Sequence, residues 1–200
     1  MEIKEVYSYT LDNKYEIEDL ENRRLFVNSE IDSSVVDAIV YHILRYNRED
    51  KEIDIKDRKP ILLYINSPGG SVPDGYVLID AIIASKTPVY TINQGYCYSM
   101  GFLIFLAGIK RFTMQSSTFL MHDGSTMGWD STAKMKDRMD FETNQVEKYT
   151  KNYIISRTSI DSKLYDKKYR IEWYMYSPEA KEHGICTHIV GQDCSIDEIL

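Results

Sequence analysis

Apolar positions along this chain fall into short runs that change period again and again. After a polar, charge-rich start, Arg23 to Asn28 (RRLFVN) reads as a short strand. Asp32 then stands where a helix can be capped, and Val35, Val36, Ile39, Val40, Ile43 and Leu44 recur at helical spacing on one face. Ile61 to Ile65 (ILLYI) is continuously apolar, the mark of a strand covered on both sides, and Asn66 to Ser71 (NSPGGS) breaks it. A helix follows with Val77, Leu78, Ala81 and Ile82 turned inward. The unit then repeats: Pro88 to Gln94 is strand-like, Gly95 to Tyr98 reads as a turn, and Ser99 to Gly108 is an almost wholly apolar helix.

Beyond it, Arg111 to Gln115 and Thr118 to Met121 are short strand candidates, followed by a glycine-bearing loop. A long helical stretch runs from about Ser131 to Ser156 with Met135, Met139, Val146 and Tyr149 as a thin apolar seam. A helix with so narrow an apolar face is expected to project from the core and find its partner in another subunit. Pro178 to His183, Gly184 and Ile185 to Val190 read as a short helix, a glycine stop and a last strand. Strands alternating with helices predict an α/β fold. The charge run Glu49 to Lys59 reads as a solvated loop.

Composition narrows the function classes. Two hundred residues with 43% hydrophobic content suit one globular domain, with residues 1–22 as a polar N-terminal segment and 23–200 as the folded domain. No apolar run reaches the length of about 18 residues needed to span a bilayer, and the start is too polar for a secretory signal. Three cysteines, Cys97, Cys186 and Cys194, are too few for a disulfide framework, so a cytoplasmic location is expected. A net charge of -7 without a basic run argues against nucleic acid and anionic membranes and leaves peptides or proteins as partners. His183, Cys186, His188 and Cys194 do not make a metal site, because strand alternation and the glycine stop separate them. No metal or cofactor is expected.

Ser99 is the first candidate for chemistry. It sits where a turn gives way to a helix, so its hydroxyl is presented beside the unpaired N–H groups of the first helical turn. Acyl transfer needs two donors aimed at the developing oxyanion. The Met100 N–H can be one, and Gly70, in a Pro-Gly-Gly turn without Cβ atoms in the way, the second. Of the four histidines, His122 stands at a strand end before an Asp-Gly turn, where a general base can be displayed. His42, His183 and His188 have packing or capping positions instead. Spacing does not choose the acid that would orient the imidazole: Asp123, Asp130, Asp166 and Glu172 all follow His122.

These residues resemble the ClpP peptidases, proteolytic subunits of the Clp protease, whose fold is shared with the crotonases. The resemblance is carried by Tyr64-Ile65-Asn66-Ser67-Pro68-Gly69-Gly70-Ser71, Ser99-Met100-Gly101, Met121-His122, Ser177-Pro178-Glu179-Ala180 and Gly184-Ile185, and it covers roughly 23–190. It implies a repeated βα superhelix with the long helix as a protruding handle. It also implies a serine endopeptidase acting on unfolded polypeptides, with Ser99 as nucleophile, His122 as base, and Gly70 and Met100 as oxyanion donors. The family's third triad residue, an aspartate six positions before the motif proline, corresponds here to Glu172. Peptides are expected to lie extended beside Gly69, Ser71, Val72, Gly124 and Ser125. Heptameric rings stacked as a tetradecamer, and an AAA+ unfoldase docking at the ring axis, are the implied partners.

The chain departs from the family at Cys97 and Tyr98 before the serine, at Asp123-Gly124 after the histidine, and over the first twenty-odd residues apart from Tyr15-Glu16-Ile17. Two rival expectations follow: a catalytically inactive ring subunit, and a crotonase-type acyl-CoA enzyme that would use the same paired donors without a serine nucleophile.

Overall fold

The structure, a computed structural model, describes residues 11–124 and 130–200. It is a mixed α/β fold built on a largely parallel sheet. In chain order the elements begin with α1 (Leu11–Glu21), β1 (Arg24–Val27), α2 (Ser33–Glu49), β2 (Ile61–Ser67), α3 (Val72–Ala84), β3 (Val89–Tyr98) and α4 (Met100–Ala107). They continue with β4 (Lys110–Thr113), β5 (Thr118–Met121), α5 (Thr132–Phe141), a π-helical turn (Glu142–Val146), α6 (Glu147–Arg157), α7 (Ser162–Lys168), β6 (Trp173–Tyr176), α8 (Ser177–Glu182) and β7 (His188–Ile189). The parallel ladder runs β1-β2-β3-β4-β7.

Strand β3 is long enough to serve two neighbours on one edge. Tyr90 to Asn93 pair with β4, whereas Tyr96 to Tyr98 pair with β5, and β5 in turn pairs antiparallel with β6. The expected turn at Gly95 to Tyr98 is therefore strand. The break appears instead as a register shift between Ile65 and Ser67 on β2, where the Asn66 side chain accepts a bond from the Tyr96 N–H. Gly95 permits this approach, since a Cβ there would lie 2.6 Å from Asn66 Oδ1.

As its unbroken apolar run predicts, β2 is buried on both faces. Ile61, Leu63 and Ile65 join the core under the helices, while Leu62 and Tyr64 pack with Ile92, Phe112, Val190 and Ile199 on the other side. Helix α2 begins as expected, with the Asp32 carboxylate accepting from Val35 N at 2.9 Å. Its buried residues are Val36, Ile39, Ile43 and Tyr46, and Leu44 is exposed, because the face that meets α3 lies one position round from it. On α3, Leu78, Ile79 and Ile82 are buried and Val77 points outward, a shift of the same kind. All eight residues of α4 are buried, so the most apolar segment is the central helix, packed against α3 and α6.

The charge run 49–59 is not simply solvated. Asp50 is 1% exposed and takes two bonds of 2.6 Å from the Arg23 guanidinium and one of 2.8 Å from Thr87. The Arg23 guanidinium holds the Asp50 carboxyl below its usual range. This pair ties the start of β1 to the end of α2, and Arg23 itself has a left-handed φ of 60°.

The predicted long helix is continuous from α5 through the π-helical turn into α6. No residue of α5 is buried, which fits a projecting element, and Met135, Met139 and Phe141 are exposed along it. Helix α6 is anchored by Tyr153 and Ile154, with the Tyr153 O–H donating to the Leu103 carbonyl at 3.0 Å. The last strand is shorter than expected: β7 holds only His188 and Ile189 after Gly184, whose φ of +66° ends the preceding turn. Among the described residues no helix is long and apolar enough to cross a membrane.

Candidate active site

The site is assembled at the ends of β2, β3 and β5. Strand β3 stops at Tyr98, and Ser99 follows with φ 53° and ψ −119°, a conformation that costs a non-glycine residue on the order of 1–3 kcal/mol. Three features hold it there. The Ser99 N–H donates to Leu120 O at 3.1 Å, and the Ser99 carbonyl accepts the first bonds of α4 from Phe102 and Leu103. Gly69 lies directly beneath: a Cβ built on it would stand 2.7 Å from Ser99 Cβ and 3.0 Å from Met100 N. A turn this sharp throws the serine side chain off the helix N-terminus instead of folding it back as a cap, and no capping bond is made.

Gly69 and Gly70 have φ values of 101° and 147°, which ordinary side chains rarely adopt. Ile31 N donates to Gly69 O at 2.7 Å and Ser71 N donates to Ile31 O at 2.8 Å. This bridge engages the residues on either side of Gly70 and leaves the Gly70 N–H out. The Met100 N–H, at the first position of α4, likewise has no intrahelical acceptor. Met100's side chain is buried against Gly75, so only its backbone takes part in the site.

Strand β5 supplies the histidine. The same Leu120 whose carbonyl holds Ser99 lies two residues before His122, so one strand end fixes the serine turn and delivers the imidazole. Ser99 and His122 line one cleft of about 940 Å³, together with Gly70, Ser71, Val72, Met100 and Gly124. The His122 Nε2 is buried and has no hydrogen-bond partner among the described residues. Gly69 supports the cleft from behind without lining it, and Ser125 lies outside the described residues.

Cys97, two residues before Ser99, is fully buried, and burial pushes its thiol well above the ordinary range. It stays protonated and is no rival nucleophile.

Glu172 is positioned differently. Met121 pairs with Trp173, so the β5–β6 ladder extended by one step sets Glu172 opposite His122. Its carboxylate is nevertheless exposed, does not line the cleft, and accepts a bond from the Tyr174 O–H at 3.1 Å. Ladder position thus favours Glu172 among the acids, while its side chain points elsewhere.

The sequence reading missed the far wall of the cleft. Tyr76, Tyr149, Thr150, Tyr165 and Tyr169 stand there, with Tyr76 O–H and Thr150 Oγ1 2.6 Å apart. The Tyr169 phenol is pushed up to about 12, first by burial and then by Glu147. These residues come from α3, α6, α7 and the position just after α7, so no local spacing groups them. The π-helical turn contributes Glu142, Gln145 and Val146 to the same wall, as such turns often do at functional sites.

The chain is similar to known proteins over most of its length. The chain is 30% identical over 179 residues to the ATP-dependent Clp protease proteolytic subunit 1 of Bacillus cereus, covering 86% of each protein. It is 28% identical over 173 residues to the ATP-dependent Clp protease proteolytic subunit 2 of Treponema pallidum, covering 86% of this chain and 83% of the relative. The Clp protease family matches residues 12–193, a span containing β1 through β7 and every residue of the cleft described above. With a strained serine, a strand-end histidine and a glycine turn all inside that span, the chain belongs to the Clp protease family.

Proposed function

We propose that this protein is a serine endopeptidase that cuts unfolded polypeptides inside an oligomeric chamber. The observation that carries the reading is Ser99 held at a left-handed φ of 53° on the strand-to-helix turn, in one cleft with His122. Ser99 Oγ attacks the peptide carbonyl carbon as the His122 Nε2 takes its proton. The developing oxyanion accepts bonds from the Gly70 and Met100 N–H groups, and the protonated imidazole then gives its proton to the leaving amine. Water, activated by the same imidazole, releases the acyl group from Ser99. Glu172 is the acid that would orient His122. An extended peptide would pair through its backbone with the Gly69 to Val72 segment on one side and with Gly124 and the loop after it on the other.

Heptameric rings, stacked in pairs through the exposed α5 with Met135, Met139 and Phe141, would confine the chemistry. An AAA+ unfoldase as feeder of the chamber and a cytoplasmic location complete the proposal. The location is supported by three unpaired cysteines.

One observation favours a second reading, a ring subunit without activity: the Glu172 carboxylate is engaged by Tyr174 and not by His122. Labelling with a fluorophosphonate separates the two, on protein whose oligomeric state is measured by light scattering. Labelling that disappears in Ser99→Ala and His122→Ala is the expected result. An intact ring that takes up no label would leave the inactive subunit standing.

A further inference from the structure

Glu172 is engaged by a group that an orienting acid does not need. Tyr98 pairs with Leu120 and Leu120 with Tyr174, so two tyrosines flank one residue of β5 in a single row across three strands. Opposed positions of neighbouring strands, and positions two apart on one strand, present their side chains on the same face. Tyr174, Glu172 and His122 therefore share that face.

The row is braced. Tyr98 O–H and Thr118 Oγ1 are 2.8 Å apart, and the Tyr98 and Tyr174 rings meet edge to face with centroids separated by 5.6 Å. The Tyr174 phenol, so placed, donates to Glu172 Oε2 at 3.1 Å. Among the described residues the Glu172 carboxylate takes no bond from His122, and the His122 Nε2 has no partner. A charged acceptor holds a hydroxyl donor more firmly than a neutral one does, so the bond biases which way Glu172 turns.

We propose that Tyr174 is a latch that parks the Glu172 carboxylate outside the cleft, and that its release lets Glu172 turn to His122 and orient the imidazole. The inference rests on the peptidase chemistry proposed above. It makes Tyr174 a positioning residue, and it requires two exclusive partners for one carboxylate: the phenol in the parked state and the imidazole in the working state. The Tyr98 ring is what keeps the phenol in place while half of Tyr174 remains exposed. Any contact that moves the Tyr98–Tyr174 pair would thereby set how much of the protein is competent.

The test uses the full chain at matched oligomeric state, with Tyr174→Phe, Glu172→Gln and the double variant. Phenylalanine keeps the ring and removes only the donor. The rate of Ser99 labelling by a fluorophosphonate, and kcat and KM for a fluorogenic peptide, are the readouts. Loss of one hydrogen bond of ordinary net strength predicts a gain of about fivefold in labelling rate and kcat for Tyr174→Phe, with KM unchanged. Glu172→Gln in the same protein is expected to erase the gain, which a merely structural role for Tyr174 would not do. Tyr98→Phe, which frees the brace at Thr118, is expected to move labelling the same way by less. Labelling of the wild type with no gain in Tyr174→Phe, or a gain that survives Glu172→Gln, overturns the latch alone. No labelling of either protein overturns the peptidase reading and the latch with it.

Discussion

The two halves of the candidate site are built to different standards. Around Ser99 the backbone is held on three sides: Leu120 O accepts its N–H, Gly69 fills the space beneath it, and α4, buried throughout, bonds to its carbonyl. Around Glu172 one phenol makes the only side-chain bond among the described residues, and both partners are exposed, Tyr174 on β6 and Glu172 just before it. A strained backbone persists only where its surroundings over-determine it, so the first half must be rigid. The second half carries no strain and has room to move. If the proposed roles hold, the difference teaches that a nucleophile can be fixed by packing while the acid that serves it is left adjustable.

Substitutions can break this contrast, the most damaging first. Gly70→Ala would set a Cβ 2.3 Å from the Ile31 carbonyl oxygen, and backbone, not a flexible side chain, stands in the way. The bridge to Ile31 should open and the donor beside Ser99 be lost, with labelling down about 10²-fold or more, as for removal of one oxyanion donor.

Next in size is Asp50→Asn, which leaves the Arg23 guanidinium facing a neutral partner under the strand that leads to Ile31. A loss of about 3 kcal/mol in urea unfolding is expected from breaking a buried pair. The pH dependence follows from the same contact. Because Arg23 lowers the folded-state pKa of Asp50, its stabilisation is fully present above the ordinary aspartate value of about 3.9 and is lost as pH falls through the lower folded value. In the Asp50→Asn variant that part of the acid limb should vanish.

Glu172→Gln should be milder than either of these losses. With the acid parked for much of the time, a drop in kcat of about tenfold is expected, against roughly 10⁴ where an orienting carboxylate is fully engaged. A drop as large as that of His122→Ala would mean that the two halves are equally rigid. Smallest of all, Tyr176→Ser changes an outward residue of β6, 64% exposed, and should shift stability by no more than about 0.5 kcal/mol.

Much of the candidate site is legible in the sequence, for a reason visible in particular residues. Ser99, Gly70 and Met100 sit in strings whose character is local: a buried strand, a glycine turn, an apolar helix. His122 was marked by its place at a strand end. Where the reading shifted, the determinant lay far along the chain. The face of α3 was set by what packs on it, so Val77 faced out and Ile79 in. Gly95 to Tyr98 read as a turn because of its glycine, but pairing with β2 and β5 drew it into β3.

By itself the sequence determined the alternation of strands and helices, the doubly covered β2, the helix capped by Asp32, and which groups are candidates for chemistry. Those features depend on neighbours within a few positions, and period and capping record them. Only the tertiary structure decided that Asp50 is buried on Arg23, that tyrosines of three helical segments form one wall, and that Glu172 stands opposite His122 yet bonds to Tyr174. Each of those outcomes joins residues through ladder register or packing across the fold, and no spacing along the chain encodes which way a side chain turns once two partners compete for it.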